Sequence, residues 1–274
     1  MTFSGVFISV LPVCVLLLGA CSEVGSERPD DVTRYALPKK LHEVSGLAVA
    51  GPDSVLAVAD EKAWVYQINV TDGKVERRVK LGDPVLRGDF EGIAMLDDRL
   101  YLVTSDGRLV HGRLSATGDV VTPTVVETGV GEYCEVEGLA VRASGTLALV
   151  CKTARDKALK RKLAVFSVDP AQSAPAELVI EVDVDQILEH VTGKKFNPSG
   201  IERLGDGSYL VVAARQRAYA VITEQGEVVR AGSLPVWKMH RQTEGVTAMP
   251  DGRLVLADEG GDGKAMLSVY PDVF

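Results

Sequence analysis

The chain has 274 residues, of which 46% are hydrophobic and 25% are charged, and its formal net charge is −8 at pH 7. This length is sufficient for one sizeable core, and the acidic balance argues against nucleic acid as a partner because no broad basic face is evident. Basic residues do cluster at Lys39-Lys40, at 155–162 and at Lys194-Lys195. They are interpreted as solvated surface, with an anionic partner for the 155–162 cluster as the alternative.

The first 20 residues are strongly apolar and carry no charged side chain. They end in Leu18-Gly19-Ala20-Cys21, and a leucine three residues before a cysteine, with two small residues between them, resembles the bacterial lipoprotein signal. We therefore expect residues 1–20 to be a signal peptide, Cys21 to be lipidated and residues 21–32 to form a flexible tether to the membrane. The protein would then face the periplasm or the exterior from the cell envelope. The stretch lacks the usual Lys or Arg, so a secretory signal with a coincidental cysteine is the alternative.

A short motif recurs five times in the remaining sequence and defines an internal repeat. It reads Ser45-Gly46-Leu47-Ala48, Glu91-Gly92-Ile93-Ala94, Glu137-Gly138-Leu139-Ala140, Ser199-Gly200-Ile201-Glu202 and Glu244-Gly245-Val246-Thr247. The intervals between copies are 46, 46, 62 and 45 residues. Self-similarity at this period is typical of solenoids, propellers and arrays.

Each motif begins one strand, and up to three more strand-like segments follow it. The second segments are almost continuously apolar, which predicts strands buried on both faces: 55–59, 100–103, 147–151, 209–214 and 254–257. The third segments alternate more: 64–68, 109–114, 163–168, 218–222 and 266–270. The fourth are more polar: 75–81, 124–128, 178–182 and 228–234. Turns rich in Gly, Pro and Asp separate them, and four antiparallel strands make one blade of a β-propeller.

The fifth repeat has no fourth segment, but residues 33–37, just before the first motif, are strand-like. We predict that this segment closes the ring by pairing with the last blade, which covers two exposed strand edges. The fold expected for residues 33–274 is thus all-β, a five-bladed β-propeller that is expected to be a monomer. The long interval is assigned to a basic loop at 153–162 and a short surface helix within 184–195. Six blades, one of them degenerate, is the main alternative.

Two cysteines, Cys134 and Cys151, belong to the propeller region and flank the first hairpin of the third repeat. The register of that hairpin brings them within a few residues of each other. Because the expected compartment is oxidising, we predict a disulfide, with two buried thiols as the alternative.

The innermost strands of a propeller line its central channel, so the motif residues of all five blades meet at one end. Three of these are Glu91, Glu137 and Glu244. Carboxylates held together require protons or a counter-ion, and hard oxygen ligands suit Ca²⁺ or Mg²⁺. We therefore predict a metal site formed by these three glutamates. The alternative, slightly favoured, is that they cap backbone amides between blades and hold the ring closed.

A second set of positions, fifteen residues after each motif begins, returns to the same end of the ring. It is less repetitive, and in the fourth repeat the position is Ala214, with Arg215 beside it. The charged residues at or beside these positions are proposed to bind a ligand: Asp60, Asp106, Lys152, Arg215 and Glu259. The two cations would hold a phosphate or carboxylate beside the metal. Surface salt bridges between blades are the alternative. His42 and His240 lie near their motifs, and either could reach this region.

The segments Glu43-Val44-Ser45-Gly46-Leu47, Asp89-Phe90-Glu91-Gly92-Ile93-Ala94 and Asn197-Pro198-Ser199-Gly200-Ile201, together with Asp60-Glu61 and Glu244-Gly245-Val246, resemble the SdiA-regulated (YjiK-like) β-propeller family. That family is similar in turn to phytase-like and gluconolactonase-like propellers, in which hub carboxylates surround Ca²⁺. The resemblance implies a fold more than an activity. We expect an envelope-anchored module that binds a small anion, a glycan or a protein, and the alternative is a divalent-metal hydrolase of a phosphoester, ester or lactone.

Overall fold

The computed structural model describes residue 1, residues 32–172 and residues 175–271. The expected signal peptide, the lipidation site Cys21 and nearly all of the tether lie outside the described residues. Within these ranges, no helix combines the length and the apolar character that crossing a bilayer requires.

Twenty-one strands account for most of the described chain. In chain order they are β1 (Thr33–Ala36), β2 (Val44–Gly51), β3 (Ser54–Ala59), β4 (Lys62–Asn69), β5 (Val75–Leu81), β6 (Phe90–Leu96), β7 (Arg99–Thr104), β8 (Arg108–Arg113), β9 (Val120–Val121), β10 (Thr124–Glu127), β11 (Cys134–Val141), β12 (Leu147–Ala154), β13 (Lys162–Val168), β14 (Glu177–Asp183), β15 (Gly200–Arg203), β16 (Tyr209–Ala213), β17 (Ala218–Ile222), β18 (Val228–Ser233), β19 (Thr243–Ala248), β20 (Leu254–Asp258) and β21 (Met266–Tyr270). One α-helix, α1 (Val184–Leu188), and five single 3₁₀ turns at Lys39–Leu41, Val130–Glu132, Lys157–Leu159, Ala214–Gln216 and Trp237–Met239 complete the set.

The strands form five sheets that correspond to the five sequence repeats. The sheet orders are β2-β3-β4-β5, β6-β7-β8-β10, β11-β12-β13-β14, β15-β16-β17-β18 and β19-β20-β21-β1. The first blade has an additional outer strand, β9, which pairs in parallel with β5. The arrangement is a five-bladed β-propeller, as the sequence predicts, and the six-bladed alternative is wrong.

Strand β1 closes the ring, and this prediction is confirmed. It pairs antiparallel with β21, with Thr33 opposite Val269 and Ala36 opposite Met266. Because strands alternate in direction within a blade, β1 begins at the end of the ring opposite the five motifs. The Tyr35 hydroxyl donates to the carbonyl of Thr71, in the turn between β4 and β5, and so ties the closing strand to the first blade.

The hydrophobic core consists of five layers, one between each pair of neighbouring blades, rather than one central mass. The layer between the third and fourth blades is representative, since Val150 and Val165 of one sheet contact Ile201 and Val211 of the next, and all four are buried. Burying each such aliphatic side chain contributes about 1.5–3 kcal/mol. The apolar runs of the second strands are buried on both faces because each sheet is covered by a neighbour on either side.

The long interval between the third and fourth motifs contains two insertions and a short helix, as expected. Helix α1 lies within the predicted segment 184–195 and ends at Leu188. Val184 and Ile187 are its buried residues, and they pack into the layer between the third and fourth blades.

Candidate functional site

The five motif glycines lie where the innermost strands, β2, β6, β11, β15 and β19, approach one another around the axis. A Cβ atom built on Gly92 would lie 2.8 Å from the backbone nitrogen of Leu139, and one on Gly200 would lie 2.8 Å from the backbone oxygen of Glu244. Each of these contacts is with the next blade of the ring, and both are closer than a carbon side chain tolerates. The glycines therefore serve close blade approach. The channel along the axis narrows here to a cavity of about 10 Å³, which has room for about one water molecule.

Beyond this neck the channel widens, at the end where the innermost strands begin, into a polar cavity of about 200 Å³ that we call the hub cavity. Its lining combines five carboxylates with two cations and several neutral polar groups. The lining residues are Asp60, Glu91, Glu137, Lys152, Asn197, Ser199, Ala214, Arg215, Gln242, Glu244 and Glu259. The structure thus gathers all three predicted metal-binding glutamates and four of the five predicted ligand-binding residues in one place.

Glu137 and Lys152 form a partly buried ion pair on the third blade. The Lys152 ammonium donates to the Glu137 carboxylate, whose side chain is 2% exposed. Burial raises the pKa of Glu137 to about 7, and the hydrogen bond from Lys152 opposes that shift. Burial alone would lower the pKa of Lys152, but its bond to Glu137 and the surrounding carboxylates raise it, so the lysine stays charged.

Glu91 and Glu244 differ from Glu137 because neither carboxylate has a hydrogen-bond or ion-pair partner among the described residues. Burial, followed by the charges of Glu137 and Asp89, raises the pKa of Glu91 to about 9. Burial, followed by the charges of Glu137 and Glu259, raises the pKa of Glu244 to about 8. At neutral pH these two groups therefore hold protons unless a cation neutralises them.

The rim of the cavity is also acidic. Burial and the charge of Glu43 raise the pKa of Asp60, and burial and the charge of Asp60 raise that of Glu259. The Gln242 amide donates to the Glu259 carboxylate at 2.5 Å, which fixes one of these groups at the cavity mouth.

Of the two serines of the motif, Ser199 has a structural role that the glutamates do not share. Ser199 Oγ donates to the carbonyl of Thr243 in the fifth blade at 2.7 Å and accepts from the backbone N–H of Ala214 at 2.9 Å, so it joins neighbouring blades. Ser45 Oγ is buried and has no hydrogen-bond partner within the described part of the chain. Capping between blades thus describes Ser199, whereas Glu91 and Glu244 point to a different use.

Three residues considered from the sequence lie outside the hub cavity. Asp106 instead receives hydrogen bonds from the Thr104 hydroxyl and, at 3.1 Å, from Arg108 Nε, because the tight turn at Gly107 keeps its side chain over its own hairpin. His240 is fully buried between blades, with Nδ1 2.7 Å from Asp258 and Nε2 2.5 Å from the Tyr270 hydroxyl. His42 lines a neighbouring pocket on the first blade.

The donors in the hub cavity suit a divalent metal ion in part. The described residues contain no group of three or more His, Cys, Asp or Glu side chains already placed to hold a metal ion. Glu91 and Glu244 nevertheless offer unpartnered carboxylate oxygens, and Asn197 and Gln242 line the same space, with Asn197 Oδ1 accepting from Gln216 Nε2 at 3.3 Å. Carboxylate and amide oxygens are the hard ligands that Ca²⁺ and Mg²⁺ prefer. Glu137 accepts from Lys152 through Oε1, which leaves its Oε2 as a further oxygen for a cation.

Cys134 and Cys151 are joined in the structure by a disulfide whose Cα atoms are 5.7 Å apart. Cys151 lies opposite Val136 in the β11–β12 ladder, close to the register on which the prediction depended. The bridge lies in the layer between the second and third blades and anchors the start of the strand that carries Glu137.

Comparison with protein-family models finds no match, and comparison with curated protein sequences finds none either. Comparison with solved structures finds propellers. The PQQ-bound aldose sugar dehydrogenase from Streptomyces coelicolor superposes with a TM-score of 0.53 at 14% identity, over 88% of this chain and 99% of that one. A glucose dehydrogenase gives a TM-score of 0.55 at 14% identity, over 86% and 98% of the two chains. A luciferin-regenerating enzyme gives 0.52 at 8% identity, over 87% and 94%. At these identities the similarity establishes the β-propeller fold alone.

Proposed function

We propose that the protein is an envelope-anchored binding module whose hub cavity takes up a divalent cation, Ca²⁺ or Mg²⁺, and with it a small anionic ligand, a glycan or an anionic group of a protein. The lipid anchor is Cys21, and the chain is a member of the SdiA-regulated propellers. The observation that carries the proposal is the pair of unpartnered carboxylates, Glu91 and Glu244, in a cavity of about 200 Å³.

The cation is supported by electrostatics. Two carboxylates whose pKa values are raised to about 9 and about 8 are unfavourable as bare anions near neutral pH. A divalent cation removes both the mutual repulsion and the burial penalty, since the interaction of opposite charges strengthens where water is excluded.

The anionic ligand is supported by the two cations that share the cavity. Arg215 lies on the fourth blade, and its charge opposes the raised pKa of Glu244. A guanidinium can bind a carboxylate or phosphate through two parallel hydrogen bonds. A ligand that contacts both the cation and Arg215 would fill the cavity and satisfy both signs of charge.

The test is isothermal titration of the purified protein with CaCl₂ and with MgCl₂, beside a Glu91→Gln/Glu244→Gln double variant. We expect saturable binding by the native protein and an affinity lower by at least about tenfold in the variant, because two charged ligands are removed. Asp106→Asn is the matched control, since Asp106 occupies the repeat position of the cavity residue Asp60 but itself lies outside the cavity.

Thermal melting of all three proteins verifies that they fold. Native protein that shows neither heat of binding nor a shift in melting temperature at millimolar cation would contradict the cation site. Equal loss of binding in Asp106→Asn would contradict its assignment to Glu91 and Glu244.

A second candidate function, a divalent-metal hydrolase of a phosphoester, ester or lactone, is favoured by one observation. The pKa of Glu137 is raised to about 7, the range that suits a general base at neutral pH, and its carboxylate lies beside the proposed cation. Turnover of p-nitrophenyl phosphate, p-nitrophenyl acetate or a simple lactone at saturating cation, abolished by Glu137→Gln, would support this candidate. Absence of turnover with cation bound leaves the binding module as the function.

A further inference from the structure

A second cavity lies beside the hub on the same end of the ring, between the third and fourth blades. It has a volume of about 410 Å³, and we call it the basic groove. Its walls come from the two insertions that lengthen the third repeat, the segment around residues 153–162 and the segment around residues 184–197. The 184–199 connection between β14 and β15 is longer than its equivalents in the other repeats, and the 155–161 connection is matched in length only by 259–265 of the fifth blade within the described residues. The pairing of two long connections on one side of the ring is therefore a feature that the propeller scaffold itself does not require.

The two insertions are fixed to each other. The backbone N–H of Val184 donates to the carbonyl of Arg161 at 2.9 Å, and the Arg161 guanidinium pairs with Asp185 of α1. Arg161 adopts a backbone φ of 61°, in the left-handed region that non-glycine residues rarely enter. These contacts hold that conformation and give the groove a defined wall.

The charge of the groove is opposite to that of the hub. Six cationic side chains line it and no acidic one does: Lys152, Lys160, Arg161, Lys162, Lys194 and Lys195. Lys162 is compensated by Glu181 at 3.1 Å and Asp183 at 2.9 Å. Lys160, Lys194 and Lys195 have no ion-pair partner among the described residues. Three uncompensated cations in one cavity of a chain with net charge −8 concentrate positive potential there.

The floor of the groove is apolar. Leu159, Val184 and Phe196 line it, and each is between 4% and 5% exposed. The volume is within the range of about 300–1,000 Å³ that is typical of small-molecule sites. A ligand that fits therefore combines an anionic group, for the rim, with an apolar part, for the floor.

We propose that the basic groove binds a phosphate monoester group of a small molecule whose remaining part is apolar. A dianion gains about twice the attraction of a carboxylate from the same three ammonium groups, which act as point charges and impose little geometry. Lysine Nζ atoms also match the three terminal oxygens of a phosphate as hydrogen-bond donors. The groove shares Lys152 and Asn197 with the hub cavity, but its three uncompensated lysines belong to the groove alone.

The test is titration calorimetry with phenyl phosphate, at low ionic strength and in the presence of EDTA so that no hub cation contributes. We expect saturable binding, and binding weaker by at least about tenfold for benzoate, which has one charge fewer. A Lys194→Gln/Lys195→Gln variant should also lose at least about tenfold in affinity for phenyl phosphate. Lys39→Gln/Lys40→Gln, an adjacent exposed pair on the first blade, should bind as the native protein does.

The outcome for Glu91→Gln/Glu244→Gln separates this site from the hub, because that variant should retain phenyl phosphate binding. Equal weakening in both lysine pairs, or no saturable binding by the native protein, would overturn the proposal. A phosphate monoester on a lipid headgroup is distinguished by cosedimentation with vesicles that contain phosphatidic acid. Vesicle binding that depends on Lys194 and Lys195, without binding of phenyl phosphate, would also overturn a small-molecule site.

Discussion

The hub cavity and the basic groove are neighbours at one end of the ring, yet they arise in opposite ways. The hub is built from equivalent positions of the repeats, and its lining is mainly acidic. The groove is built from two insertions in one repeat, and its cationic lining contains no acidic side chain. Both contain a lysine in ion pairs, Lys152 in the hub and Lys162 in the groove, but only the hub pair is substantially buried.

The difference shows what repetition does to charge. A side chain that one blade places near the axis comes close to its equivalents in the other blades. The ionised carboxylates of Glu91, Glu137 and Glu244 therefore repel one another. An insertion in a single blade has no equivalents around the axis, and cations can accumulate there without that constraint. The hub therefore holds carboxylates that are unfavourable as bare anions, whereas the groove presents open, solvated charge.

The largest expected contrast in unfolding free energy comes from replacing Lys152 in the hub and, separately, Lys162 in the groove. Lys152→Met leaves Glu137 buried without its partner, and breaking a buried pair in this way costs about 3 kcal/mol of unfolding free energy. Lys162→Met removes an exposed pair and should cost less than about 1 kcal/mol. Urea denaturation at pH 8 measures both, and similar losses would show that the two regions do not differ as described.

The next contrast concerns the glycines of the axis. Gly92→Ala brings a Cβ to 2.8 Å from the backbone of the next blade, and such overpacking should cost about 2–3 kcal/mol. Gly51 ends β2, in the inner hairpin of the first blade. Gly51→Ala places its Cβ where no atom lies within 4 Å and should change stability by less than about 0.5 kcal/mol. Equal effects would mean that the motif glycine is not required for blade approach.

A third prediction concerns pH in the absence of divalent cations. The native pKa values of Glu91 and Glu244, about 9 and about 8, exceed the value of 4.5 for an ordinary glutamate. The folded state therefore binds more protons than the unfolded state between about pH 4.5 and 9, and the unfolding free energy must fall as pH rises through this window. We expect a decrease of at least about 2 kcal/mol from pH 5 to pH 9, because each unit by which a native pKa is raised corresponds to about 1.4 kcal/mol.

Thermal or chemical denaturation across that range, in EDTA, measures the decrease. Glu91→Gln/Glu244→Gln should flatten the profile, because the titrating groups are gone, and Ca²⁺ should restore stability to the native protein at the alkaline end. A native profile that is flat, or that rises with pH, contradicts the raised pKa values.

The smallest effect on stability is expected in the groove. Lys194→Gln/Lys195→Gln alters exposed side chains without ion-pair partners among the described residues, so the unfolding free energy should change by less than about 0.5 kcal/mol. Urea denaturation provides the measurement. A larger loss would assign these lysines a structural role that the described contacts do not show.

Most of the fold was predictable because the repeat constrains it. Five motifs at near-regular spacing specify five blades, and the missing fourth strand of the last repeat identifies residues 33–36 as the closing strand. Strand β9 was not predictable, since Val120 and Val121 form a two-residue strand whose partner, Lys80 and Leu81, belongs to another repeat.

The candidate site was predictable in outline but not in its pairing. Position within the repeat places Glu91, Glu137 and Glu244 together, but the sequence does not reveal that Lys152 pairs with Glu137 alone. Asp106 shares the repeat position of Asp60 and yet lies outside the cavity, because its neighbours Thr104 and Arg108 provide a nearer hydrogen-bonding alternative. Such local competition depends on side-chain geometry, which the spacing of the repeats does not specify.

The closing strand has a further consequence for how the molecule would stand on a bilayer. Strand β1 begins at the end of the ring opposite the hub cavity, and Tyr35 ties its course to the turn after β4 on that end. If Cys21 is the membrane anchor, the chain enters the propeller at the end opposite the hub cavity. With that end toward the lipid surface, both the hub cavity and the basic groove would open away from the membrane. The ring would then expose the end that contains both cavities to the surrounding solution.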